Sequence, residues 1–116
     1  MKKKYRIKKN DEIVKILKKK KTVGNKYFVI YKDENTFGHF RYALSVNKKY
    51  GNAVERNLIK RRVRAVIASN EVIDKDLFVV IKLLSKELNF KEIKKNIEAL
   101  LKRADLLIRG EQNEEN

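Results

Sequence analysis

Between residues 51 and 64 the chain reads Gly51-Asn52-Ala53-Val54-Glu55-Arg56-Asn57-Leu58-Ile59-Lys60-Arg61-Arg62-Val63-Arg64, a stretch dominated by cationic and amide side chains. Wound as an α-helix at about 100° per residue, it places Arg56, Asn57, Lys60, Arg61 and Arg64 within about 140° of arc. Ile59, Val63, Val66 and Ile67 gather on the flank beside them, a stripe that can face a core. No acid is interleaved on the cationic face. Like charges at i, i+4 spacing therefore oppose the helix until an anion neutralises them. Basic helix faces are often merely solvated. Here the run is also pinned to a Gly-Asn entry, where glycine permits a tight lead-in, and a polyanion is the partner that would complete such a helix.

Hydrolytic chemistry has much less to work with. Metal-dependent phosphodiester cleavage wants carboxylates converging on two cations about 4 Å apart. Asp33, Glu34, Asp74 and Asp76 stand at loop edges without paired spacing, where turn and cap chemistry accounts for them. The chain has no cysteine, and His39 is its single histidine, so thiolate sites and a His-rich zinc site are excluded, no spare histidine base remains beside a Ser-His-Asp triad, and no partner motif accompanies His39. His39 reads as an ordinary loop or strand-start residue. The residues thus predict no catalytic group and no metal site on the chain itself.

Composition agrees with a binding role. Thirty Lys and Arg against fifteen acids give a formal charge of +15, which draws phosphate-rich partners with a strength that falls as salt rises. A generic basic module, such as a ribosomal protein or an RNA chaperone, shares that charge. A membrane-surface helix is a poorer fit, because Ile59, Val63 and Val66 lack broad Trp, Phe or Leu anchors. No apolar run of about eighteen residues occurs, and Met1-Lys2-Lys3-Lys4 is followed by no apolar segment. No membrane partner and a cytoplasmic location are expected. With 116 residues, 42% of them hydrophobic, one domain with one core fits.

The elements that must position the basic face follow from periodicity. A basic lead-in covers 1–9. Asn10 is a fitting N-cap for a short helix over 11–20, with Asp11 and Glu12 in its first turn and Lys18 to Lys21 at its end. Gly24-Asn25 marks a break. Tyr27 to Tyr31 is aromatic and β-branched and predicts a strand with Tyr27, Val29 and Tyr31 on one face, Phe28 and Ile30 on the other. A polar hairpin connection over 32–38 then leads to an antiparallel partner strand over 40–46. The basic helix should span 53–69. Leu77-Phe78-Val79-Val80-Ile81 predicts a central strand buried on both faces. Asn89 and Glu92 have capping-box spacing, before a helix whose apolar positions continue to Leu107 or Ile108, with Gly110 as its C-cap. The tail, 111–116, is acidic and apolar-free and is expected to be disordered, leaving a single domain over 1–110. The order helix, strand, strand, helix, strand, helix is a two-layer α+β sandwich.

Lys48-Lys49, Gly51-Asn52-Ala53-Val54, Arg56-Asn57, Lys60-Arg61 and Arg64 closely resemble the signature of the bacterial ribonuclease P protein family. Tyr5 to Lys9, Phe28 to Tyr31 and Ser45-Val46 match as well, in order, so the resemblance runs from about residue 5 to residue 108. It implies a mixed four-stranded sheet packed with three helices, including one short strand that the pattern does not resolve. It also implies a left-handed βαβ crossover through the basic helix, the ribosomal protein S5 domain 2-like fold, where the general rule gives a right-handed one. By resemblance the chain is the protein subunit of an endoribonuclease that removes the 5′ leader of precursor tRNA. The partners implied are a catalytic RNA subunit, in a one-to-one complex with a monomeric protein, and precursor tRNA. Catalysis belongs to that RNA and its Mg²⁺.

The family's Arg-Asn and following basic positions engage the RNA subunit. Carried over, these are Arg56, Asn57, Lys60, Arg61 and Arg64, with Lys48, Lys49 and Asn52 extending the patch. Arginine forks can clamp phosphate in two places, lysine acts as a point charge, and an amide both donates and accepts. The family's leader cleft lies between the first helix and a sheet face, which implies Ile13, Leu17, Val29 and Tyr31. Relatives often carry aromatic residues at the two helix positions, and here that wall is aliphatic.

Overall fold

The apolar run of residues 77–81 lies at the heart of the sheet. In the computed structural model, which describes residues 3–108, it belongs to strand β4 (Lys75–Ile81), whose residues 76–79 and 81 are all buried. Strand β2 (Phe28–Glu34) pairs with one side of it antiparallel, and β3 (Arg41–Val46) pairs with the other side parallel. A short strand β1 (Thr22–Gly24) adds to β2, giving the order β1-β2-β4-β3. The mixed four-stranded sheet and its three helices bear out the α+β fold.

The direct β2–β3 hairpin expected from the sequence does not form. The two strands do run antiparallel, but β4 lies between them. The strand with two apolar faces takes the centre, and the half-polar strands take its flanks. Residues 35–40 therefore cross the end of β4 rather than turning tightly. Asp76, near the start of β4, pins this crossing: it accepts from Asn35 Nδ2 at 2.8 Å and from Arg41 Nε at 2.9 Å. Strand β2 also runs past the predicted break to Glu34, where Lys75 Nζ donates to the Glu34 carboxylate at 2.6 Å.

Helix α2 (Ala53–Ala68) connects β3 to β4 and packs with α3 (Phe90–Arg103) on one sheet face. Phe28, Ile30, Tyr42, Leu77, Val79 and Ile81 meet Ile59, Val63, Val66 and Ile67 from α2, and Ile93, Ile97, Leu100 and Leu101 from α3. The stripe predicted for the basic helix is thus the buried one. Helix α1 (Asn10–Lys19) covers the opposite face, where Ile7, Ile16, Ala43 and Phe78 form a second, smaller cluster.

Local signals failed where tertiary contacts decide. Asn10 is the first helical residue of α1, and its N-cap, Lys9, makes no side-chain cap bond. Tyr27 lies outside β2, because Asn25 Oδ1 accepts from the N–H groups of Tyr27 and Phe28 in a turn. Its side chain packs toward the larger core, away from Val29 and Tyr31. Helix α3 ends at Arg103, short of Leu107. Asp105 adopts a left-handed φ of 62°, which turns the chain so that Leu106 is buried and its carbonyl accepts from Ile73 N–H at 2.7 Å. The predicted Gly110 cap and the 111–116 tail lie outside the described residues. The lead-in does more than supply charge, since Arg6 bridges Tyr42 in parallel register and Ile7 N–H donates to Tyr42 O at 2.8 Å.

Candidate nucleic-acid interface

The basic face of α2 starts from a tightly closed N-terminus. Asn52 Oδ1 accepts from Glu55 N–H at 2.9 Å, while Asn52 N–H donates to Glu55 Oε1 at 2.9 Å. This capping box satisfies two helix-end donors. It also explains Gly51, because a Cβ there would collide with the Glu55 carboxylate. Glu55 is the one acid of α2, and besides the box it pairs with Lys86 at 3.7 Å. The Asn52–Glu55 spacing is visible in the sequence and identifies the helix start more sharply than the Gly-Asn pair does. It also occupies Asn52 Oδ1, leaving its amide N–H groups for any partner.

Beyond the cap, Asn57 and Arg61 are exposed, and Arg56, Lys60 and Arg64 are half-buried along the side of α2 that borders β3. Among the described residues, the ion pairs engage Arg41, Lys75, Lys86 and Lys94, and none involves these four cations of α2. The repulsion expected along the ridge is therefore present in the fold. Strand β3 is a sheet edge. There Leu44 and Val46 floor an open hollow of about 370 Å³ walled by Ala53, Arg56, Asn57 and Lys60. Lys48 and Lys49 stand exposed at one end, in a single turn of 3₁₀ helix (Lys48–Tyr50) held by Asn47 Oδ1, which accepts from Lys49 N–H at 2.8 Å, and anchored by the buried Tyr50. A run of cations, an amide and an open floor can track a phosphate backbone.

The second predicted group also comes together. Ile13 and Leu17 from α1 and Tyr31 from β2 pack, half-buried, on the smaller cluster, and Tyr31 meets Phe78 edge-on at 6.2 Å. Val29 lies two residues before Tyr31 on the same side of β2, opposite Val80 in register. The half-buried side chains of Ile13, Leu17 and Tyr31 make a partly exposed apolar patch between α1 and the sheet. Its aliphatic wall can pack against bases, and Tyr31 can stack on one.

In a neighbouring hollow lined by Glu12, Asp33, Glu34, Arg41 and Asp76, the carboxylates are already engaged. Arg41 Nη2 donates to Asp76 Oδ2 at 2.7 Å, and Arg41 Nη1 lies 3.2 Å from Glu12 Oε2. The hydrogen bonds that it donates to Asp76 hold the Arg41 guanidinium above its usual pKa, against the cost of its burial. Asp33 Oδ1 accepts from Glu34 N–H at 2.8 Å. The Glu34 carboxyl is held below its usual range, first by its hydrogen bond from Lys75. His39 Nδ1–H donates to Phe40 O at 2.9 Å, with its ring against Tyr5. Sequence reasoning missed this network because Arg41 and Asp76 are far apart in the chain and meet only through strand pairing.

Fold and surface together define a small basic α+β domain with a cationic helix face on one side of the sheet and a partly exposed apolar patch on the other. The chain belongs to the ribonuclease P protein family, which it matches over residues 1–105. It is 46% identical over 116 residues to the ribonuclease P protein component of Acholeplasma laidlawii, across 97% of this chain and 100% of that protein. Against the ribonuclease P protein component of Macrococcus caseolyticus the identity is 44% over 105 residues, across 88% and 91% of the two chains. Among solved structures, the RNase P protein from Staphylococcus aureus superposes with a TM-score of 0.83 at 38% identity, over 90% of this chain and 98% of that one. The Thermotoga maritima RNase P protein gives 0.77 at 27%, over 84% and 96%. Membership places the chain in tRNA processing. Among the described residues no helix is long and apolar enough to cross a membrane.

Proposed function

We propose that this chain is the protein subunit of a ribonuclease P holoenzyme in which a catalytic RNA, with its Mg²⁺, hydrolyses the phosphodiester that joins the 5′ leader to precursor tRNA. The observation that carries this reading is the separation of two surfaces. Among the described residues, cations without an ion pair line α2 beside the Leu44–Val46 end of the sheet edge, and a partly exposed apolar patch lies under α1 on the opposite face. Lys48, Lys49, Asn52, Arg56, Asn57, Lys60, Arg61 and Arg64 hold the RNA subunit. Ile13, Leu17, Val29 and Tyr31 receive single-stranded leader. One monomeric chain serves one RNA, as a single RNA-binding domain acting in the cytoplasm, where precursor tRNA is made.

The chain contributes binding and electrostatics. Asp76 and Glu34 are committed to Arg41 and Lys75, which supports leaving Mg²⁺ to the RNA. Cations beside the RNA phosphates lower the repulsion that opposes binding of those ions.

Reconstitution tests this reading. Added to ribonuclease P RNA at low Mg²⁺, the chain should restore cleavage of precursor tRNA, whereas an unrelated basic protein of equal charge should not. Equal rescue by both would reduce the chain to a generic polycation. In the same assay Tyr31→Ala should weaken binding of substrates with a leader of several nucleotides by roughly 1–3 kcal/mol, the worth of a stacked base. Leaderless tRNA should be unaffected, and an equal loss on both substrates would make Tyr31 a packing residue only.

A further inference from the structure

In the hollow beside α1, one carboxylate is left without a counter-charge. Glu12 and Asp76 pair with Arg41, and Glu34 pairs with Lys75. Asp33 is 7% exposed, and among the described residues no cation forms an ion pair with it. Its Oδ1 accepts from Glu34 N–H at 2.8 Å, and its Oδ2 receives no hydrogen bond. That second oxygen is not sealed in. The Tyr42 hydroxyl is the sealed side-chain atom without a partner among the described residues, so Asp33 Oδ2 opens onto the hollow that Asp33 lines. A carboxylate drawn this far out of water is costly until a donor meets it.

The surroundings decide which donor fits. The hollow holds about 400 Å³, within the range of small-ligand sites. Asp33 lies two residues past Tyr31 on β2 and faces the same side of the sheet, while Glu12, Lys15 and Ile16 line the hollow from α1. Phe37 also lines it. That ring is 53% exposed, and the Arg41 guanidinium lies 4.0 Å from its centroid. Asn35 fixes the residue, its Oδ1 accepting from Phe37 N–H at 3.0 Å and its Nδ2 donating to Asp76 Oδ1 and His39 O. A ring backed by a cation and half open to solvent can stack a second flat group. A metal ion is a poor occupant, because among the described residues no three acidic or histidine side chains are grouped to hold one. Carboxylates outnumber Lys15 and Arg41 along the lining, which disfavours phosphate. A basic peptide meets the chain's +15. A flat, neutral molecule with N–H donors meets none of these obstacles.

We propose that this hollow binds a nucleobase carrying an exocyclic amino group, stacked on Phe37 and donating to Asp33 Oδ2. Guanine fits best, because its N1–H and its amino group present two adjacent donors to a carboxylate. Adenine and cytosine offer the amino group alone. Uracil fits worst, since carbonyl oxygens flank its one N–H and confront the carboxylate. Unpaired bases are commonly read in this way, by stacking and by hydrogen bonds to their Watson–Crick edges. The hollow lies apart from the α2 ridge, on the side of the sheet that α1 covers, and follows Tyr31 along β2. That the base belongs to a precursor-tRNA leader rests on the proposed function; the choice among bases does not.

The test titrates the full chain with guanosine, adenosine, cytidine and uridine, which carry no phosphate to be drawn to the basic face, and reads binding by ligand-detected NMR. Guanosine should bind saturably and about tenfold tighter than uridine, the scale of a hydrogen bond to a charged group. Phe37→Ala, at an exposed position, should weaken every nucleoside about fivefold or more, the loss that a missing stacking partner gives. Asp33→Asn presents a donor beside its acceptor and should close the gap between guanosine and uridine. In urea that variant should be no less stable than the parent, having lost an uncompensated charge. No saturable binding of guanosine, equal affinity for all four nucleosides, or a gap unchanged in Asp33→Asn would overturn the site. A second arm separates the two sources of the base. Precursor tRNAs with guanine and uracil exchanged at successive leader positions are cleaved by the chain reconstituted with ribonuclease P RNA. A guanine preference at one position that Asp33→Asn removes assigns the base to the leader. Nucleoside discrimination without a leader preference keeps the site and assigns it to a free nucleoside or nucleotide. Failure of the parent chain to support cleavage would sink the proposed function and leave the nucleoside titration to decide the site.

Discussion

Arg41→Ala is expected to cost about 3–5 kcal/mol of folding free energy, the usual result of removing one partner from a buried ion pair. Arg41 is 9% exposed and Asp76 6%, and they share two hydrogen bonds, of 2.9 and 2.7 Å. The guanidinium also reaches Glu12 on α1 and sits 4.0 Å from the centroid of the Phe37 ring. Alanine would leave Asp76 with the amide of Asn35 and no cation. Asp33, itself 7% exposed, lies directly opposite Asp76 in the β2–β4 register, so two buried carboxylates would face each other without a neutralising charge. Urea denaturation at neutral pH reads the loss. Replacing both partners with apolar residues, Arg41→Met with Asp76→Leu, should cost less than Arg41→Ala alone, because no orphan charge remains. A single-variant loss below about 1 kcal/mol, the range of solvated pairs, would mean that water reaches the pair. The same bond system ties α1 to the sheet through Glu12. Leader discrimination should therefore weaken together with stability, although Arg41 lies outside the Ile13–Tyr31 group.

The difference between what the sequence shows and what it hides is physical. On α2, burial and charge vary with the same period, so Ile59, Val63, Val66 and Ile67 separate from Arg56, Lys60 and Arg64 without tertiary information. Residues 77–81 announce a central strand because both of their faces are apolar. Strand order is another matter. Pairing of Tyr42 with Leu77 depends on a crossover through α2, and no local pattern in residues 40–46 prefers that partner to β2. Strand β1 has three residues, too few for alternation to register. The apolar positions of α3 continue past its end because Leu106 and Leu107 still pack inward from a non-helical turn. Arg6 and Ile7 join the sheet edge from a segment whose charge reads as a free arm. The ridge was therefore legible from residue types alone. The patch under α1 came from family resemblance, since nothing in Ile13 or Leu17 says which sheet face α1 will cover.

The triple variant Lys60→Ala, Arg61→Ala, Arg64→Ala should change two properties in opposite directions. Binding to ribonuclease P RNA should weaken sharply and lose salt dependence, with the log–log slope flattened by roughly 2 to 2.7 for three lost phosphate contacts. The free protein should become more stable at low salt. The substitutions remove the Arg56–Lys60, Lys60–Arg64 and Arg61–Arg64 neighbours, like-charge pairs worth a few tenths of a kcal/mol each, and alanine is the best helix former. A gain of roughly 1 kcal/mol is expected, shrinking as salt screens the parent's repulsion. The three side chains carry no ion pair among the described residues, so little native contact offsets that gain. A merely solvated ridge would give the stability change without the change in slope. A ridge needed for packing would give a loss of stability instead. Only a surface that stores repulsion until another molecule's phosphates relieve it gives both a flatter slope and a firmer free fold, and measuring slope and stability on one preparation separates the three cases.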